Sequence, residues 1–228
     1  MARMHFHEEL ESIELEILGM GELAERSIGL AVEALVLGDV ALARAVIDGD
    51  DEIDDRYLDV EQRTLQTLAL QTPVAVDLRL LSAMLHINLH LERIGDMAVN
   101  VAKIFLSVAD LPTDAGVLAQ VREMGDVVRP MIRAAMEAFR ARDLDLCLKL
   151  PTMDDPLDRL NLGMYGKVAA LAGDRARLDW GLRMNVVARQ LERVGDHAVD
   201  VAEQIGFLIT GEFREFTDAS HPVEIERE

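Results

Sequence analysis

Cysteine, aromatic residues, basic residues and long apolar runs are all scarce in this chain, and each shortage removes a class of protein. The one cysteine, Cys147, has no partner for an internal disulfide. Its setting, Leu144-Asp145-Leu146-Cys147-Leu148, reads as a small apolar filler on a helix, which suits a reducing compartment. Aromatics are 4% of the residues and strand-type alternation is hard to find, so no sheet is expected. No run of 18 apolar residues occurs. The N-terminal Met1-Ala2-Arg3-Met4-His5-Phe6-His7-Glu8-Glu9 turns acidic where a signal peptide would turn apolar, and a soluble cytoplasmic protein without membrane insertion is expected. Lys and Arg number 23 against 42 Asp and Glu, and the net charge of −19 repels phosphate backbones, so nucleic acid is not expected as a partner.

Reactive motifs are missing as well. Gly19-Met20-Gly21 lies inside a helical pattern and has no following Lys-Ser/Thr, so it is not a phosphate-binding loop. No nucleophile with a paired base comes into view, and no catalytic residue is expected.

What the chain does have is helical periodicity. Leu10, Ile13, Leu15, Ile17, Leu18, Leu23, Ile28, Ala31 and Leu35 recur at three- and four-residue steps, which predicts one long helix over 6–37. Gly38-Asp39 ends it and caps a second helix over 40–70, interrupted at Gly49. Thr72 is read as an N-cap and Pro73 as the first position of a third helix, which ends near residue 110. Leu111 to Gly116 reads as a short boundary turn. The second half follows the same plan, with helices over 117–140, 143–172 and 174–210. Ten methionines scattered through these helices read as core filling.

The two halves are copies. Leu91-Glu92-Arg93-Ile94-Gly95-Asp96-Met97-Ala98-Val99-Asn100-Val101-Ala102 returns as Leu191-Glu192-Arg193-Val194-Gly195-Asp196-His197-Ala198-Val199-Asp200-Val201-Ala202, identical at nine of twelve positions and offset by 192 − 92 = 100. Earlier in each half the offset is 104, matching Gly38-Asp39 to Arg142-Asp143 and Asp50-x-x-x-Asp54 to Asp154-x-x-x-Asp158. The fold class is therefore all-α, two tandem antiparallel three-helix bundles related by internal duplication, over 6–110 and 116–211, with 212–228 a loose tail.

Members of Glu92-x-x-x-Asp96-x-x-x-Asn100 advance about 40° per step around a helix, so they form one stripe, as do Glu192, Asp196 and Asp200. Asp50 with Asp54, and Asp154 with Asp158, form shorter stripes on the preceding helix. Like charges at i,i+4 cost a helix a few tenths of a kcal/mol, and a metal ion would relieve that cost. The ligand set is hard and all-oxygen, suited to Mg²⁺, Mn²⁺ or oxidised iron and tolerable to Zn²⁺. Gly95 weakens its helix by about 1 kcal/mol relative to Ala, and its return at Gly195 points to a packing or access requirement. The plainer alternative is a set of solvated acidic faces screened by Arg93 and Arg193. The Glu-x-x-His of di-iron bundles is absent near the stripes, which counts against an oxygen-activating enzyme. His86 and His90 have ligand-pair spacing but point away from Glu92 and have no counterpart at Val186 and Gln190, so a core or surface role is expected. His197 is expected to touch a site in the second half only.

The doubled Glu-Arg-(Ile/Val)-Gly-Asp, the Asp-x-x-x-Asp pairs and Gln71-Thr72-Pro73-Val74-Ala75-Val76-Asp77-Leu78-Arg79 together resemble the PhoU family over residues 6 to 211. The resemblance implies two symmetric three-helix bundles with metal-binding acidic motifs, iron or zinc clusters among them. It also implies a cytoplasmic negative regulator of the phosphate-starvation response, linking the ATPase subunit of the phosphate ABC transporter to a sensor histidine kinase, with a homodimer as the expected assembly. By the same resemblance, Asp50, Asp54, Glu92, Asp96 and Asn100 would form one metal site and Asp154, Asp158, Glu192, Asp196 and Asp200 a second. Two departures stand out. Position 100 is an amide, Asn100, where the corresponding position 200 is a carboxylate, Asp200, which predicts weaker binding in the first half, and the second half has Gly173-Asp174-Arg175 where the first has its Pro-containing turn. A carboxylate-bridged metallohydrolase and a plain helical scaffold are the competing functional readings.

Overall fold

The structure, a computed structural model, describes residues 2–216, and helices are its only regular elements. They are α1 (Ala2–Leu37), α2 (Val40–Asp48), α3 (Asp51–Gln71), α4 (Val76–Ser107), α5 (Ala115–Ala141), α6 (Leu144–Cys147), α7 (Leu150–Ala169) and α8 (Arg175–Thr210). Each half thus has its long–middle–long plan, with the middle helix broken in both copies. The first break follows Gly49, whose N–H closes α2 on Ala45 and Ile47; the second separates α6 from α7 at Leu148-Lys149.

The punctuation explains why the duplicated turns fold alike. Gly38 takes a left-handed φ of 71°, and the Asp39 carboxylate accepts from Leu42 N–H at 2.9 Å. In the copy, Arg142 holds φ 54° and Asp143 accepts from Leu146 N–H at 3.0 Å. A non-glycine residue in that region costs about 1–2 kcal/mol. Arg142 has compensating contacts that glycine could not make: its guanidinium lies 4.6 Å from the Phe139 ring centroid and pairs with Glu14 at 2.5 Å. Asp114 and Asp174 cap α5 and α8 in the same side-chain manner.

At the third helix the structure corrects the sequence reading. Thr72 does not cap α4 but closes α3 in the left-handed region at φ 44°, and α4 begins three residues after Pro73, at Val76. Pro73 biases Thr72 away from the α region, and two positive-φ residues, Thr72 and Ala75, carry the turn instead. Leu15 is a second correction, since it lies off the buried face of α1 and is 68% exposed.

The two halves share one core. α1 packs on α4 and α5, and α8 on α4 and α5, while α3 covers α1 and α4 and α7 covers α5 and α8. One continuous apolar cluster runs through all of them and includes Cys147, whose thiol burial pushes up to about 12. The α1–α5 crossing shows the internal symmetry. A Cβ on Gly21 would lie 2.6 Å from Met136, and one on Gly125 would lie 2.9 Å from Val32. Those contacts are equivalent, because 21 + 104 = 125 and 32 + 104 = 136. Of the methionines, Met20, Met84, Met97, Met124, Met131, Met136, Met164 and Met184 are buried as core filling.

The segment after α8 does not hang free at once. Phe216 N–H donates to the buried Glu203 carboxylate at 2.6 Å, and the Phe216 ring lies against Gly206. The remainder of the expected tail, from residue 217, lies outside the described residues. No described helix is long and apolar enough to cross a membrane.

Candidate functional site

Two acidic clusters form where the start of α3 crosses the middle of α4 and where α7 crosses α8. In the first, burial is the largest influence on Asp50, and the charges of Asp54 and Asp96 add to it, so its carboxyl rises to about 6 although Lys103 pulls the other way. Glu92 is raised by burial, then by Asp96, Asp54 and Asp50, against the pull of Arg93. These four carboxylates therefore share one field, contributed by two helices. Asn100, one turn further along α4, is exposed.

The second cluster repeats the arrangement in a drier setting. Asp154 and Glu192 are each only 7% exposed. Burial, then Asp158, Asp196 and Glu192, push Asp154 up to about 7, and Glu192 and Asp196 are also raised, by burial first. Asp200 belongs to this field less completely. It raises Asp196, but its own Oδ2 lies 3.3 Å from His197 Nδ1 and 3.5 Å from His90 Nδ1.

Gly95 and Gly195 make both crossings possible. A Cβ at residue 95 would lie 3.0 Å from Ile53 and 3.3 Å from Asp50 Oδ1. At residue 195 it would overlap Asp154 Oδ1 and come within 2.6 Å of Leu157. The glycine lets a carboxylate from the neighbouring helix lie directly on the backbone of the motif helix, at a helix-propensity cost of about 1 kcal/mol. This is the packing requirement that the repeated glycine implied.

Cations meet the two clusters differently. Arg93 reaches across the first, 3.1 Å from Asp96 and 3.4 Å from Glu92. In the second, Arg189 pairs with Glu192, and Arg193, the expected screen, lowers Glu192 through its charge while forming no ion pair among the described residues. These arginines leave part of each cluster unsatisfied. Asp154 Oδ1 and Glu192 Oε2 are buried without a hydrogen-bond partner, and Glu92 Oε2, also buried, has no hydrogen bond and only the Arg93 ion pair at 3.4 Å. A buried acceptor without a partner costs about 1–3 kcal/mol, and more when charged, so these oxygens are the atoms that would gain most from a cation. The residues therefore fit a hard metal ion, with orphaned carboxylate oxygens supplied from two helices.

Two features of the site escaped the sequence reading. Arg189 stands three residues before Glu192 and so shares its face, a spacing that could have been noticed. The meeting of His90 with His197 could not, because it joins residues 107 apart, with Nδ1 atoms at 3.0 Å. It also differs from the expectation that His197 would serve the second half alone. His86 is exposed.

Comparison with known proteins agrees with the repeat. The family model described as "PhoU domain" matches twice, over residues 17–105 and 121–205. The starts of the two matches are 121 − 17 = 104 apart and their ends 205 − 105 = 100, the same two offsets found within the sequence. The chain is 31% identical over 208 residues to the "Phosphate-specific transport system accessory protein PhoU homolog" of Caulobacter vibrioides, covering 91% of this chain and 90% of that one. To the protein of the same name in Clostridium acetobutylicum it is 31% identical over 220 residues, covering 96% and 100%. The crystal structure of PhoU from Pseudomonas aeruginosa matches with a TM-score of 0.86 at 32% identity, over 91% of this chain and 100% of that one. The "phosphate transport system regulatory protein PhoU" of Streptococcus pneumoniae matches with a TM-score of 0.84 at 25% identity, over 92% and 99%. With two matched repeats spanning most of its length, the chain belongs to the PhoU family.

Proposed function

We propose that this protein is an accessory regulator of phosphate uptake that works by binding rather than by catalysis. The observation that carries this reading is the full-length match to proteins named as accessory or regulatory components of the phosphate transport system, at 31–32% identity and in the same duplicated fold. In this reading the protein acts in the cytoplasm as a negative regulator. It connects the ATPase subunit of the phosphate transporter to a sensor histidine kinase, so that ample phosphate keeps the starvation response off.

Metal binding is the second part of the proposal. Asp50, Asp54, Glu92 and Asp96 would hold metal in the first half, and Asp154, Asp158, Glu192 and Asp196 in the second, with Asn100 and Asp200 next along their stripes. The all-oxygen donors suit Mg²⁺, Mn²⁺ or oxidised iron. A bound cation would supply charge neutralisation. The chain's own residues do the rest: Gly95 and Gly195 admit the aspartates of α3 and α7, and burial of Asp154 and Glu192 excludes water from one side of the second cluster.

The regulatory reading is tested by deleting the gene in a strain with no second copy and assaying alkaline phosphatase in phosphate-rich medium. Derepressed enzyme is the expected result, and full repression would refute the reading.

A further inference from the structure

Outside the two acidic clusters, His90, His197 and Asp200 converge where α4 meets α8. Among the described residues they are the one set of three histidine, cysteine or carboxylate ligands whose donor atoms all lie within 4.8 Å of one another. The separations are 3.0 Å for Nδ1 to Nδ1, 3.3 Å for His197 to Asp200 and 3.5 Å for His90 to Asp200. We propose that these three side chains form a binding site for one divalent cation of borderline softness, Zn²⁺ in the first instance, that ties the two halves of the chain together.

Geometry is the first support. Zn²⁺ bonds of about 2.0–2.1 Å to nitrogen and oxygen in a tetrahedron place ligand atoms about 3.3–3.4 Å apart, in the middle of the separations found here. The second support is proton counting. Each imidazole Nδ1 is either a donor or an acceptor and the ionised carboxylate only accepts. In a triangle of three such atoms, one edge therefore always sets two lone pairs or two N–H groups against each other. A cation satisfies all three edges. Burial supplies the third support: both imidazoles are more than four-fifths buried, so bulk water is largely excluded from the nitrogen atoms that meet there. Asp200 is 40% exposed, which leaves solvent access for a fourth ligand.

The donor set separates this site from the acidic clusters. Two imidazoles and one carboxylate favour Zn²⁺ or Co²⁺ over Mg²⁺, whereas the clusters offer oxygen alone. It is also single. The positions equivalent to 90, 197 and 200 are Gln190, Met97 and Asn100, which provide no matching set. The chain would therefore carry one such site despite its internal repeat. The inference stands independently of the regulatory reading and of metal at the acidic clusters.

The test is titration of the chelator-treated full chain with Co²⁺, read by visible absorption, followed by displacement with Zn²⁺. Three variants accompany it: His90→Gln, His197→Met and Asp154→Asn. The first two copy residues that the other half already carries, so they preserve folding, which circular dichroism checks. The expected result is the intense spectrum of tetrahedral Co²⁺ at one equivalent, displaced by Zn²⁺, lost in His90→Gln and in His197→Met, and kept in Asp154→Asn. The proposal is overturned if the folded wild type gives no tetrahedral spectrum. It is equally overturned if the spectrum survives in either histidine variant or disappears in Asp154→Asn, which would place the ion in an acidic cluster.

Discussion

The two acidic clusters are built from the same motif on corresponding pairs of helices, α3 with α4 and α7 with α8, yet they are not equivalent. In the first, Arg93 spans Glu92 and Asp96, and Lys103 lowers Asp50. In the second, Arg189 meets Glu192, and Asp154 is buried beneath its neighbours with Oδ1 unpartnered. Duplication preserved the carboxylates and the glycine while the surrounding cations and burial diverged. The second cluster holds more uncompensated negative charge in a drier place, and it is the stronger candidate for a cation. Asp200 adds little to that difference, since its Oδ2 is turned to His197 and His90.

The largest effect separating the halves should come from the glycines. Gly195→Ala gains about 1 kcal/mol of helix propensity but forces a methyl group into Asp154 and Leu157, and overpacking of this kind costs about 1–3 kcal/mol. Gly95→Ala meets its neighbours only at 3.0 to 3.3 Å, and the helix-propensity gain of about 1 kcal/mol offsets much of the strain. Urea midpoints should therefore fall clearly for Gly195→Ala and stay near wild type for Gly95→Ala. Equal losses would remove the claimed difference in packing.

Next in size is the response of the chelator-treated protein to pH. Asp154 titrates near 7 and Asp50 near 6 in the folded chain, against an ordinary 3.8 when unfolded. Between those values the folded state holds more protons than the unfolded state. Stability should therefore fall as pH rises from about 4 through 7. At pH 8, Asp154→Asn should stabilise the chelator-treated protein and flatten this pH dependence, and Asp50→Asn should do so to a smaller extent. Urea unfolding across the pH range reads both changes, and a larger effect from Asp50→Asn would reverse the ordering.

The smallest effects should belong to the arginines. Arg189 and Arg93 are about half exposed, and such pairs contribute roughly 0–1 kcal/mol. Arg93→Ala and Arg189→Ala should barely move the urea midpoint while tightening metal binding to their own cluster, which calorimetric titration with Mn²⁺ would detect. Weakened binding would show that the arginines organise the carboxylates instead of competing for them.

Much of this was legible in the sequence because it is local. The cap at Asp39 follows from a turn residue and an aspartate before an apolar run and appears where expected, and Asp143, matched to it by the repeat, caps α6 in the same way. The stripes follow from i,i+4 spacing, and the glycine at 95 and 195 marked a close approach before any neighbour was known. The misreadings came from competition between signals. Thr72-Pro73 carries an N-cap signature, but the same proline disfavours the right-handed α region at Thr72, which ends α3 in the left-handed region instead. Leu15 matched the apolar rhythm of α1 and still faces solvent, because a 36-residue helix presents more apolar residues than its neighbours cover. The His90–His197 contact depends on how α4 and α8 dock, which no single-helix pattern encodes.

The central claim is that the carboxylates beside Gly95 and Gly195 are cation sites of unequal strength. Crystals grown over a series of Mn²⁺ concentrations and measured by anomalous diffraction test it directly. The predicted result is a peak among Asp154, Glu192 and Asp196 at low concentration, joined at higher concentration by one among Asp50, Glu92 and Asp96. Absence of a peak from both clusters at saturating Mn²⁺, or filling of the first cluster before the second, would contradict it.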